Sequence, residues 1–229
     1  MIAPKAGTYT ITNFIQNGNI TSTAGWQQSS SNYIVPNANG GYIVFPVLNG
    51  TIHNRPSLRN MQMIKDHIIY GRCEQKVPSS TGAADSRFEW WPSDTYTLIF
   101  AKVESVIKDN EWHIASGRST AKATGSYYLR NFSVNTTGAA WYRKNFLMFD
   151  LTAAFGAGNE PDKEWLDANL PFFENTYELT VERFDAYVKQ NDTWSTNKVS
   201  KIYEKQNGIW IQVNPRIKDN NTWIGKKEE

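Results

Sequence analysis

The chain has 229 residues and a single cysteine, Cys73. One thiol cannot form an intramolecular disulfide, so the fold is not expected to depend on oxidation. The default for such a residue is a buried, inert side chain. Charge is also sparse: charged residues make up 20% and the net charge is +2. The one terminal block of like charge, Lys226-Lys227, is cancelled by Glu228 and Glu229. Nucleic-acid binding needs clustered Lys and Arg, so no nucleic-acid partner is expected. No stretch approaches the roughly 20 apolar residues of a membrane-spanning helix, and no membrane partner is expected. Residues 1–7 lack the apolar run of a secretory signal. The expectation is synthesis in a cytoplasm, with release by a route such as lysis.

Signatures of catalysis are missing too. There is no Gly-x-Ser-x-Gly elbow and no His-Glu-x-x-His zinc helix. The three histidines, His53, His67 and His113, are scattered. Paired carboxylates for glycoside hydrolysis need only spatial proximity, but Glu89, Glu104 and Glu111 carry no local signature. No catalytic residue is assigned, and a cell-wall glycan hydrolase is kept as a minor alternative. Gly156-Ala157-Gly158-Asn159-Glu160-Pro161 has the spacing of a dinucleotide-binding loop, but Pro161 replaces its third glycine. It reads as a strand-to-helix turn.

What the chain does have is aromatic residues, at 14%, with nine tryptophans. Apolar residues make up 40%, and the mean hydropathy is −0.55. Strand patterns dominate. Thr8-Tyr9-Thr10-Ile11 alternates with period two, and Gly41 to Val47 is a β-forming run between Asn39-Gly40 and Asn49-Gly50. Tyr70 to Glu74, Arg87 to Trp91, Tyr96 to Val103, Trp112 to Ala115, Ser126 to Phe132 and Asn145 to Leu151 follow. A strand every 10–15 residues or so, with turns between, predicts an all-β chain built as a jelly-roll β-sandwich.

One short helix is expected near residues 160–170. Asn159 is its candidate cap, Pro161 suits its first turn, and Asp162 and Glu164 oppose the helix dipole. Trp165, Leu166 and Leu170 form its apolar face, and Pro171 ends it. A repeat then closes the chain. Tyr187 to Trp194, Tyr203 to Trp210 and Arg216 to Trp223 each read strand, turn, strand, with Asn191-Asp192, Asn207-Gly208 and Asn220-Asn221 as the turns. The predicted division is a jelly-roll domain over 1–183 and a small Trp-containing β-hairpin repeat module over 184–229. A lone hairpin is marginal in water, so the repeats are expected to stack on one another or on a partner.

The aromatics supply the candidate binding residues. Sugar rings present apolar C–H faces that stack on Trp and Tyr, while amides and acids bind the hydroxyls. Trp90-Trp91 and Tyr127-Tyr128 are adjacent pairs, and strand neighbours face opposite sides. Only one of each pair can be core. Trp26 and Trp141 sit in loop-like contexts. The candidate carbohydrate-binding residues are therefore Trp26, Trp90, Trp91, Tyr127, Tyr128 and Trp141.

Phe149-Asp150-Leu151-Thr152-Ala153-Ala154-Phe155-Gly156-Ala157-Gly158-Asn159-Glu160-Pro161-Asp162-Lys163-Glu164-Trp165, with Pro171-Phe172-Phe173 behind it, strongly resembles a segment of tail and minor structural proteins from phages and prophages of Gram-positive bacteria. Asn17-Gly18-Asn19 with Gly25-Trp26, and Trp112-His113-x-x-Ser116, resemble parts of galactose-binding-like jelly rolls, the superfamily of many carbohydrate-binding modules. The resemblance covers about residues 8 to 177. It implies a tail or baseplate protein of a virion, without enzymatic activity, that recognises a host cell-wall polysaccharide. Other phage tail or baseplate proteins are the implied partners, and a homo-oligomer is expected by analogy. A purely structural tail subunit, its aromatics forming subunit interfaces, is the alternative. No cofactor is expected beyond a structural calcium, for which Asn17, Asn19 and Asp150 would supply oxygens.

Overall fold

The computed structural model describes residues 2–28, 33–58, 63–92, 98–125, 127–190, 193–206, 209–213, 218–219 and 222–223. At 28, 91–92, 98–99, 127–128 and from 182 onward it describes the backbone alone. The chain divides into two compact units: Met1–Ala3 with Ile11–Tyr177, and Pro4–Thr10 with Glu178–Glu229. The sequence reading placed this boundary near Arg183 and did not assign the first strand to the second unit. That pairing joins the two ends of the chain, and a local pattern carries no trace of it.

In chain order the strands are β1 (Gly7–Thr12), β2 (Trp26–Gln28), β3 (Ile34–Val35), β4 (Tyr42–Phe45), β5 (Leu48–Pro56), β6 (Ile68–Lys76), β7 (Asp85–Pro92) and β8 (Leu98–Ala101). Then come β9 (Trp112–Thr120), β10 (Tyr127–Thr136) and β11 (Trp141–Asp150). The first unit holds two five-stranded sheets, ordered β3-β4-β11-β6-β9 and β2-β5-β10-β7-β8. Removing the short edge strands β3 and β2 leaves β4-β11-β6-β9 facing β5-β10-β7-β8. From β4 to β7 and again from β8 to β11 successive strands switch sheets, with the β7–β8 hairpin kept within one sheet, which is the wrapping of two Greek keys in an eight-stranded jelly roll. The fold is thus an all-β jelly-roll sandwich, as the strand spacing predicts.

The core lies between the sheets. Ile43 and Phe45 of β4, Cys73 of β6, Phe88 and Trp90 of β7, Leu129 of β10, and Trp141, Phe146 and Met148 of β11 are all buried in one cluster. The parity of β11 changes along this list, from odd to even positions. The register against β6 shifts between Lys144 and Leu147, and Asn145 has φ +53°. Asn tolerates that conformation better than most residues, and one extra residue turns the following side chains to the opposite face. Leu147 and Phe149 therefore point out of the sandwich, yet both are buried.

Their cover follows in the chain. The helices α1 (Leu151–Phe155) and α2 (Lys163–Asn169) come directly after β11. Trp165, Leu166 and Leu170 are buried, as the helical pattern anticipates, and Phe173 beyond the helix is buried too. Phe149 lies 5.4 Å from the Tyr70 ring and 6.3 Å from that of Phe173. Asp167 of α2 accepts from Tyr70 Oη at 2.6 Å and from Ser116 Oγ at 2.8 Å. Arg72 Nη1 donates to the Leu170 carbonyl at 2.7 Å. Burial among these groups pushes the Tyr70 hydroxyl up. Two details depart from the sequence reading. The α2 cap is Asp162, whose Oδ1 accepts from Trp165 N at 2.7 Å, while Asn159 donates to the Phe155 carbonyl at 2.9 Å. α1, capped by Asp150, was not foreseen, because five residues are too few to display a helical period.

The second unit contains β12 (Thr176–Gln190), β13 (Thr193–Gln206), β14 (Ile209–Val213), β15 (Lys218–Asp219) and β16 (Thr222–Trp223). One sheet runs β1-β12-β13-β14 and a separate hairpin joins β15 to β16. Pairing closes at Gln190 with Thr193, at Gln206 with Ile209 and at Asp219 with Thr222. Each of the three Asn-containing pairs read as turns is thus flanked by paired strands. The turn residues themselves lie outside the described residues.

Candidate functional site

Alternation along β7 and β10 sorts their residues into two faces. Phe88, Trp90, Leu129, Asn131 and Ser133 turn inward and are buried. Arg87, Glu89, Arg130 and Phe132 belong to the outer face, and register pairs Arg130 with Glu89 and Phe132 with Arg87. His53 of β5 lies opposite Phe132 on the other side of β10. Position 128 pairs with position 91 in the same ladder, two residues from Arg130 and from Glu89.

Glu89 is the centre of the cluster. It is fully buried, although it stands on the outside of the sheet. Arg130 Nε donates to its Oε1 at 2.6 Å, with Nη2 on the same oxygen. Arg87 Nη1 reaches Oε2 at 3.3 Å. Arg87 in turn is fixed on Asp85 through Nε at 2.9 Å and Nη2 at 2.7 Å, and these carboxylates hold its guanidinium above the usual value. The Arg130 guanidinium lies 4.3 Å from the Phe132 ring centre, and the His53 ring stacks on the same phenyl at 5.6 Å. The result is a rigid row of guanidinium, carboxylate, imidazole and aromatic groups. Its chemistry is hydrogen bonding in fixed directions beside aromatic positions.

His53 is held below its ordinary value, first by burial and then by the Arg130 and Arg55 charges. An unfolded histidine titrates near 6.5, so below that pH the unfolded chain binds the proton more tightly than the folded one. His53 therefore contributes no penalty above pH 6.5 and lowers stability as the pH falls through it. The urea midpoint is expected to drop between pH 7.5 and 5.5, and His53→Gln is expected to remove part of that drop. An equal drop in both proteins would refute this assignment.

Three of the six aromatic candidates have described side chains, and all three are core. Trp90 is 1% exposed, Trp141 0% and Trp26 7%. Trp141 stacks on Phe45 at 4.1 Å, and Trp26 packs edge-on against Phe146 while its Nε1 donates to the Asn17 carbonyl at 2.9 Å. Neither Trp26 nor Trp141 sits in a loop: they open β2 and β11. Buried ring faces are closed to a ligand, so these three are corrected to structural residues. For Trp91, Tyr127 and Tyr128 the backbone register stands, with Tyr127 opposite Pro92 and Tyr128 opposite Trp91.

The calcium candidates do not converge. Asp150 accepts from Ala153 N at 2.8 Å and pairs with His67 Nδ1 at 2.7 Å. Asn17 Oδ1 accepts from Thr21, and its Nδ2 donates to the Ser22 and Ala24 carbonyls. Asn17 and Asn19 do share a surface cleft of about 430 Å³ with Glu174, whose carboxylate accepts from Gly18 N and Asn19 N. Asp150 does not line it. Among the described residues no three His, Cys, Asp or Glu side chains gather to hold a metal. The three proposed ligands do not fit one calcium ion.

Sequence reasoning missed Arg87, Arg130, Phe132 and His53. The signal was present as Arg87-x-Glu89-x-Trp91 and Tyr128-x-Arg130-x-Phe132, two period-two triplets of charge and aromatic. It becomes meaningful only when the strands are in register.

No protein-family model and no curated protein matches this sequence. Among solved structures, a family 16 carbohydrate-binding module is similar at 13% identity with a TM-score of 0.41, over 59% of this chain and 99% of that one. The CBM22-1 xylan-binding domain from Paenibacillus barcinonensis Xyn10C is similar at 14% identity and 0.38, over 66% and 97%. The enzymatically active domain of tailspike protein 4 from bacteriophage CBA120 is similar at 14% and 0.40, but this chain spans only 21% of its length. Likeness at this level carries no site from one chain to another. The jelly-roll assignment rests on the strand order of this chain itself.

Proposed function

We propose that this protein is a non-enzymatic glycan-recognition module that binds through the outer face of β5, β10 and β7. The observation that carries this reading is the pair of partly exposed guanidiniums of Arg87 and Arg130, both held by the buried Glu89 carboxylate, next to the ladder positions where Tyr128 pairs with Trp91. Sugars are bound by oriented charged groups that satisfy hydroxyls next to aromatic surfaces, with little induced ordering. The long Phe149–Trp165 resemblance supports display on a phage tail or baseplate, where a host cell-wall polysaccharide would be the ligand. A second reading, a subunit interface in the same tail, is favoured by the tandem hairpins of the second unit.

The test is sedimentation of the whole chain with purified Gram-positive cell walls, in competition with free wall polysaccharide. Saturable binding is expected, weakened about tenfold or more, at least 1.4 kcal/mol, by Trp91→Ala or Tyr128→Ala. Binding undiminished in both variants would remove this face as the site. No binding to walls from a broad host panel, together with self-association of the chain, would favour the interface reading.

A further inference from the structure

Arg143 stands in the middle of the sandwich core and is fully buried. Its Nε donates to Gln75 Oε1 at 2.7 Å and its Nη1 to Asn131 Oδ1 at 2.5 Å. Both partners are neutral amides. Its guanidinium carbon lies 4.6 Å from the Trp141 ring centre and 5.6 Å from that of Phe45. Among the described residues no carboxylate bonds to it, and Glu104 acts on it only through space. The neighbouring Cys73 is a neutral thiol, its pKa pushed up to about 12 by burial. An uncompensated charge in a protein interior is strongly unfavourable.

The polar atoms around this charge share one property. Arg143 Nη2, Trp141 Nε1 and Asn131 Nδ2 are buried and meet no acceptor among the described residues. Guanidinium and indole nitrogens can only donate. Asn131 is not open to an amide flip, because its oxygen already accepts from Arg143. Asn54, directly opposite Asn131 in the β5–β10 ladder, adds a fourth such amide nitrogen. Nη2 shares its carbon with Nη1, and Asn131 Nδ2 shares its carbon with the oxygen bound to Nη1. The two donors therefore flank the same Arg143–Asn131 hydrogen bond.

Buried unsatisfied groups in native proteins call for a partner. A water molecule brings two hydrogens that need acceptors, and this cluster offers it donors and a positive charge. A monatomic anion accepts from every donor and neutralises the guanidinium. We propose that the Arg143–Asn131–Trp141 cluster is an internal binding site for a small inorganic anion of the halide class, built into the jelly-roll core. The ion would bridge the two sheets, since Arg143 and Trp141 belong to β11 and Asn131 and Asn54 to β10 and β5. This is independent of the glycan reading, which concerns the opposite face of β10.

The test is thermal unfolding of the full chain at constant ionic strength, with sodium chloride or bromide replacing sodium gluconate. Above half-saturation each tenfold rise in halide should raise Tm by about 3–6 °C for a chain of this size. Arg143→Met should abolish that response. Equal Tm in gluconate and chloride, or a response retained in Arg143→Met, would overturn the proposal. If the variant does not fold, a crystal grown in bromide decides. An anomalous peak within hydrogen-bond distance of Arg143 Nη2 and Asn131 Nδ2 supports the site, and a water or an empty position there refutes it.

Discussion

Glu89→Gln is expected to destabilise the fold by about 3–5 kcal/mol and to abolish glycan binding. The substitution keeps the volume of the side chain and removes its charge. Two partly exposed guanidiniums, from Arg130 and Arg87, then face each other across a buried neutral amide. Arg130 also loses its orientation, while Arg87 keeps its hold on Asp85, and the fixed directions of the N–H donors are what a sugar would read. A urea midpoint, compared with that of Arg130→Gln and of the double variant, measures the coupling. Strong non-additivity is expected because both single variants break the same pair. A midpoint within about 0.5 kcal/mol of the parent would show that Glu89 is a solvated surface acid and not the keystone of this face.

Trp141→Ala is the second large effect, with an expected cost of about 3–5 kcal/mol. Trp141 is fully buried, stacked on Phe45 and underlying the Arg143 guanidinium. Its removal opens a cavity between the sheets and strips the cation of its aromatic contact. A midpoint shift below about 1 kcal/mol would mean that the ring is replaceable. Wall binding, measured on the fraction that remains folded, is expected to be unchanged, in contrast to Trp91→Ala. That contrast separates a core tryptophan from a binding one.

The strand candidates read from the sequence overlap β1, β4 and β6 to β11, although for β9 the reading reaches only from Trp112 to Ala115. β2 and β3 were not read, since two or three residues carry no period. β5 was missed for a different reason: Asn49-Gly50 resembles a turn, yet both residues lie within the strand. Helix α2 was legible from its apolar face, and only its cap was misplaced, because Asn159 and Asp162 are equally good capping residues. The candidate site was half legible. Composition pointed to aromatics, but strand parity alone could not say which of Trp90 and Trp91 is inward, and nothing local flagged Trp141 as core. Charged residues at the site were invisible for a stronger reason. Glu89 and Arg130 are 41 positions apart and meet only through the β7–β10 ladder.

The pairing of β1 with β12 has a temporal side. Synthesis runs from N- to C-terminus, so β1 is made well before β12, which begins at Thr176, and must wait until its partner exists. Its open hydrogen-bonding edge is exposed throughout that interval to other nascent chains. The jelly roll needs neither β1 nor the C-terminal hairpins to complete its two sheets. A growing chain can therefore secure the jelly-roll core before β1 pairs with β12, in an order set by synthesis.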